Sequence, residues 1–135
     1  MSGSDYEREL KTLLTEAGFH VVRSAGSLGE ADLYVITPHQ TIPLECKSTK
    51  KRRFGIDRPT LREQRDGLWE LCRYGLYAMY AFRLKDGKNT PVTEKWRFYP
   101  VRRDMKSILW DKDEYYTWEE LLNVLRPGEP KNLNT

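Results

Sequence analysis

Cysteine and histidine are scarce in this chain, and their placement rules out several chemistries. Cys46 and Cys72, the two cysteines, form no C-x-x-C and sit inside apolar patterns. Neither a disulfide framework nor a zinc site is indicated, and a reducing cell interior is expected. The two histidines, His20 and His39, lie far apart, and no Cys/His or Ser/His constellation for nucleophilic catalysis is present. Long apolar runs are missing too. No stretch of about 18 apolar residues occurs, so a membrane span is not expected, and the opening "MSGSDYERE" has none of the apolar character of a signal peptide. A cytoplasmic protein is the natural expectation. Charge of one sign is also short: 23 Lys+Arg against 20 Asp+Glu leave a formal +3, too little to argue for a nucleic-acid partner by itself. With no internal repeat and no linker, the 135 residues predict a single domain over 1–126 and a flexible tail over 127–135.

What is present is a clear alternation of periods. "SDYERELKTLLTEAGF" repeats apolar residues at Tyr6, Leu10, Leu13, Leu14 and Ala17, a helix stopped by Gly18. "FHVVRSAGS" suits a strand running into a turn, and Ala31 to Lys47 reads as a hairpin around "TPHQ". A second helix is predicted in "TLREQRDGLWELCRYG", with Thr60 as cap, Glu63 three residues on and Gly75 past the end. "LYAMYAFRL" and "KWRFYPV" are aromatic-rich strands, and "TWEELLNVL" is a closing helix with Thr117 and Glu120 as its capping box. Helix, three strands, helix, two strands, helix predicts an α/β fold: a central mixed five-stranded sheet flanked by helices.

The hairpin carries the chemistry. A four-residue loop at Thr37 to Gln40 pairs Ile36 with Thr41, Tyr34 with Pro43 and Asp32 with Glu45. Side-chain alternation then puts Asp32, Glu45 and Lys47 on one face, and Leu33, Val35, Ile42, Leu44 and Cys46 on the other. Facing like charges destabilise a sheet unless a positive charge sits between them. Two converging carboxylates are what a hard divalent cation such as Mg²⁺ recruits. Such an ion polarises a phosphate oxygen and acidifies a bound water, while Lys47 is placed to orient that water or stabilise the transition state. The same spacing also fits two solvated strand ends, with Lys47 merely pairing with Glu45.

"YERE" opening the first helix, "VVRSAGS" before a turn, "ADL" and then "ECK" resemble the archaeal-type Holliday junction resolvases, a branch of the restriction-endonuclease-like superfamily with a D…(D/E)-x-K motif. The similarity is specific from Tyr6 to about Lys51 and looser through the Gln64 helix, "KWRFYPV" and "TWEELL". It implies a Mg²⁺-dependent homodimer, with Mn²⁺ as a substitute, that cuts two opposed strands of a four-way DNA junction in recombination or repair, in the cytoplasm at the nucleoid. It implies Glu7, Asp32 and Glu45 as the acidic metal ligands, Lys47 as the catalytic lysine, Arg8 and Arg23 as phosphate contacts, and Ser24 or Ser27 near the scissile phosphate. Some superfamily members carry proline before the first aspartate, where this chain has Ala31. The resemblance assigns no part to Glu30.

Periodicity places Glu7 and Glu9 on opposite borders of the apolar stripe and does not choose between them. Ser4-x-x-Glu7 is also a capping-box spacing, an alternative role for Glu7. Lys47, Lys50, Lys51, Arg52, Arg53, Arg58, Arg62 and Arg65 concentrate positive charge in one stretch beside "ECK". That stretch reads as a loop tracking phosphates, with Gly55 and Pro59 letting it move onto a duplex arm. Gln64 shares a side with Leu61, Leu68 and Leu71, an odd place for an amide unless it reaches the site. Two equivalent cuts call for a two-fold interface, expected on the second helix and later strands. No recognition helix rich in Arg, Asn or Gln is evident, so specificity is expected from DNA shape. A related nuclease acting on other DNA and a non-catalytic junction-binding protein stand as alternatives.

Overall fold

A computed structural model describes residues 2–24, 30–87 and 89–126. Ser27 and the tail 127–135 therefore lie outside the described residues. The elements in order are α1 (Gly3–Glu16), β1 (His20–Arg23), β2 (Leu33–Ile36), β3 (Thr41–Thr49), β4 (Arg53–Gly55), α2 (Pro59–Arg73), β5 (Met79–Leu84), β6 (Trp96–Pro100), β7 (Ser107–Leu109) and α3 (Trp118–Leu125), with a 3₁₀ turn over Val92–Lys95.

Both long helices end as their glycines dictate. Gly18 (φ 98°) and Gly75 (φ 83°) adopt the left-handed conformation. The N–H of Phe19 then reaches back to the carbonyl of Leu14 at 3.1 Å, and that of Leu76 to Leu71 at 3.3 Å, closing the last turns. The starts differ from expectation. Helix α1 begins at Gly3, and the Asp5 carboxylate accepts from the Ser2 backbone N–H at 2.8 Å, so the first turn is closed without Glu7. Helix α2 begins at Pro59 and not after Thr60, because proline lacks the N–H that a first helical residue leaves unused and has φ already set.

The five-stranded sheet runs β1-β2-β3-β5-β6. Its hairpin has the expected register, Tyr34 opposite Pro43 and Ile36 opposite Thr41. The turn is held by Thr37, whose hydroxyl oxygen accepts from the Gln40 N–H at 3.0 Å. Strands β3 and β5 are parallel, with Glu45 beside Tyr80, and a parallel pair needs a crossover, which α2 supplies. The crossover covers the face that carries the acids. One core of Tyr6, Leu10, Leu14, Leu33, Ile42, Leu44 and Phe98 lies under α1 and α3. A second, with Tyr80, Phe82, Leu68, Ile108 and Trp110, lies under α2 and a small β4–β7 sheet. That small sheet was not expected. Arg53 pairs with Leu109 and the Arg52 carbonyl accepts from Trp110 N–H at 2.9 Å, so the basic stretch is anchored where a long loop was predicted. Three-residue strands are too short to show a period.

Helix α1 is fastened to the sheet by a polar contact. The Arg83 guanidinium, 6% exposed, grips Glu9 with two bonds of 2.8 Å, and the Trp96 indole N–H adds a third at 3.2 Å. Removing one partner of a buried pair strands the other charge. Glu9→Ala is therefore expected to lower stability by about 3 kcal/mol in urea unfolding, and Glu7→Ala, whose partner Arg23 is a third exposed, by less than about 1 kcal/mol.

Candidate active site

The acids converge where β2 and β3 part. Asp32 stands just before β2, tied into the sheet by its own N–H to Leu44 O at 3.0 Å, and its Oδ2 accepts the Cys46 N–H at 2.8 Å. Those bonds aim the carboxylate across β3 towards its neighbour Glu45. Glu45 is 5% exposed. Burial, then the charge of Asp32 and a hydrogen bond with it, push the Glu45 carboxyl up to about 8, against the opposing pull of Lys47. The Lys47 ammonium lies 3.4 Å from Glu45 Oε2 and donates to Gln64 Oε1 at 2.7 Å. Gln64 on α2 thus reaches the site and orients the lysine.

Glu7, on α1, lies within range of the Asp32 charge. Burial and the charge of Asp32 raise its pKa, with Arg23 opposing through a contact of 3.4 Å. Geometry therefore separates the two helix-border glutamates: Glu9 is consumed by Arg83, and Glu7 faces the acids. The Cys46 thiol is pushed well up by burial and then by Asp32, Glu7 and Glu45, which leaves it no thiolate to offer.

Other predicted residues are less close. Arg8 is exposed and 3.8 Å from Asp5, on the outer side of α1. Ser24 holds the Asp32 strand through its backbone, N–H to Asp32 O at 2.8 Å. Lys50, Lys51, Arg52 and Arg53 are exposed at the turn between β3 and β4. Arg52 sits 4.0 Å from Asp111.

Glu30 has a place that its sequence did not reveal. Its carboxylate fills the space that a Cβ on Gly67 would take, pressed on the bare backbone of α2. A glycine inside a helix costs stability relative to alanine, and here it admits the acid. Helix α2 therefore carries Gln64 on Lys47 at the site and, one turn further on, Gly67 beside Glu30.

Among the described residues, no three or more His, Cys, Asp or Glu are gathered into a set able to hold a metal ion. The donor chemistry nevertheless fits a hard cation. Asp32 and Glu45 are carboxylates crowded enough to hold a proton between them, and a divalent ion answers the same excess of negative charge.

A mixed five-stranded sheet with helices on both faces, and a D…E-x-K set at the parting of two of its strands, is the restriction-endonuclease-like fold. The archaeal Holliday junction resolvase (Hjc) family model matches residues 1–103, and the chain belongs to that family. It is 43% identical over 61 residues to the crossover junction endodeoxyribonuclease Hjc of Methanocaldococcus jannaschii, an alignment spanning 45% of each chain. It is also similar to the solved structure of Archaeoglobus fulgidus Hjc, a Holliday junction resolvase, with a TM-score of 0.62 and 25% identity over 88% of this chain and 93% of that one.

Two outcomes are expected. Folded Glu45 binds its proton up to about pH 8, whereas the unfolded carboxyl releases it in the ordinary range. The folded state thus carries more protons between the two values. Metal-free protein should be most stable below about pH 5 on this account and lose stability towards pH 8, by at most about 1.4 kcal/mol per unit. Glu45→Gln should flatten that slope in denaturant titrations. Gly67→Ala should raise Tm through the better helix propensity of alanine, by about as much in a Glu30→Ala background, because the exposed Glu30 carboxylate has only to swing aside.

Proposed function

We propose that the protein is a divalent-metal-dependent endonuclease that resolves four-way DNA junctions by hydrolysing paired phosphodiesters near the branch. The observation that carries this reading is the buried Glu45 carboxylate, held against Asp32 on one side and Lys47 on the other. A fold has little reason to bury such a pair unless a cation and a phosphate complete it. Membership in the resolvase family supports the choice of substrate.

In this reading Asp32 and Glu45 hold the ion, with Glu7 beside them, and Mg²⁺ is the metal, Mn²⁺ a substitute. The bound ion supplies Lewis acidity and an acidified water. Lys47, with its direction set by Gln64, places a positive charge where the phosphate gathers negative charge in the transition state. Arg23 balances Glu7 and contacts phosphate, as Arg8 does from further out. Lys50, Lys51, Arg52 and Arg53 follow the backbone of a duplex arm. Ser24 or Ser27 serves near the scissile phosphate, and two subunits give the two opposed cuts. The exposed rings of Tyr74 (81%) and Tyr77 (41%) support a subunit contact at the end of α2.

The decisive experiment compares an immobile four-way junction with a matching linear duplex, with Mg²⁺ and with EDTA. Paired nicks near the branch are expected with Mg²⁺ only. Asp32→Asn and Glu45→Gln should each slow cutting by about a thousandfold while junction binding persists, and sedimentation should show a dimer. Equal cutting of the linear duplex would make this a nuclease of broader substrate. Binding with no cutting in any divalent metal would leave a junction-binding protein.

A further inference from the structure

Phe54 is the one aromatic side chain in the basic stretch from Lys47 to Arg65. It stands half-buried on β4, its ring edge-on to Phe82 with centroids 6.2 Å apart. The Lys47 ammonium lies 5.7 Å from its centroid. The same ammonium is 3.4 Å from Glu45, so one lysine head group spans the distance between the buried acid and the ring. Beside the ring the surface opens into a hollow of about 460 Å³ lined by Phe54, Gly55, Asp57, Arg58 and Leu61. Gly55 leaves that space open, since a Cβ there would meet nothing within 4 Å. Arg58 in that lining is exposed, Asp57 beside it lies 3.9 Å from Arg62, and the exposed cations Lys50, Lys51, Arg52 and Arg53 precede Phe54 in the chain.

An aromatic ring and Leu61 in the lining, the Arg58 guanidinium beside them and an Asp57 carboxylate offset by Arg62 suit a nucleobase attached to a phosphate chain. Aromatic stacking is indifferent to base identity, and the cations bind the backbone. A second copy of this chain suits the hollow poorly in a two-fold contact centred on it, because that would bring the same cations to the same rim. We propose that the hollow receives the base of a nucleotide adjoining the phosphate that is cut, stacked on Phe54 and covered by Arg58. The proposal rests on the nuclease reading and deepens it: the protein takes one base out of the stack at the branch, where leaving the helix costs least. Strand choice then follows from which base opens.

The test is a protein-by-DNA double-mutant cycle read by junction binding in EDTA, independent of cutting. Abasic sites are placed one at a time around the branch. At one position the loss of the base should weaken binding of the unaltered protein by about 5- to 50-fold. Phe54→Leu should weaken binding to the intact junction to a similar degree, and the two changes together should cost no more than either alone. Multiplying losses, or no sensitive position, would overturn the proposal. So would Phe54→Leu acting only on sedimentation, which would make the hollow a subunit contact. Because Phe54 touches Phe82, Arg58→Gln on the exposed rim carries the same cycle should Phe54→Leu lower Tm by more than a few degrees. A protein that shows the coupling and never cuts sinks the nuclease reading alone; one that cuts with independent losses sinks the hollow alone. Failure to bind the junction removes both.

Discussion

One carboxylate buried against another, on the inner face of a covered sheet, is the constraint around which this structure is arranged. Glu45 cannot leave that position, because β3 lies between β2 and β5 and its side chain is directed under α2. Its charge is expensive there. The surroundings limit the cost with a proton at Glu45, an ammonium at Lys47 and backbone bonding at Asp32, whose Oδ2 takes the Cys46 N–H. A site in this condition is poised for a cation, since replacing a shared proton with a divalent ion relieves the same repulsion.

Helix α1 shows how one element serves stability and chemistry with the same residue type. Glu9 and Glu7 are separated by less than a turn, yet Glu9 meets a buried arginine and an indole while Glu7 meets Arg23 within range of the Asp32 charge. The first is a bolt between α1, β5 and β6. The second is free of any capping duty because Ser2 and Asp5 close the helix start. Helix α2 divides its work similarly: Leu68 is in the core, Gln64 directs Lys47, and Gly67 admits the carboxylate of Glu30.

The near-neutral composition conceals a strongly local charge. The cations of residues 47–65 follow directly on the strand that bears Glu45, and the β4–β7 pairing holds them in a fixed relation to it. An anchored basic edge keeps its cations at set distances from the acids, which a free loop would do only on average.

Much of this was legible in one dimension. The hairpin register, the alternation that put Asp32, Glu45 and Lys47 on one face, the glycine stops at Gly18 and Gly75 and the Thr117–Glu120 cap all depend on residues close in the chain, where period and turn chemistry speak directly. The sheet of five strands was legible for the same reason. What only the tertiary structure decided lies between residues far apart: Arg83 on Glu9, Gln64 on Lys47, Glu30 on Gly67, and β4 on β7. Helical periodicity gives Glu7 and Glu9 equal standing on the borders of a stripe, and the element that happens to pack beside each border distinguishes them. Local sequence specifies which way a side chain points along its own element, and only the packing of distant elements specifies what it meets.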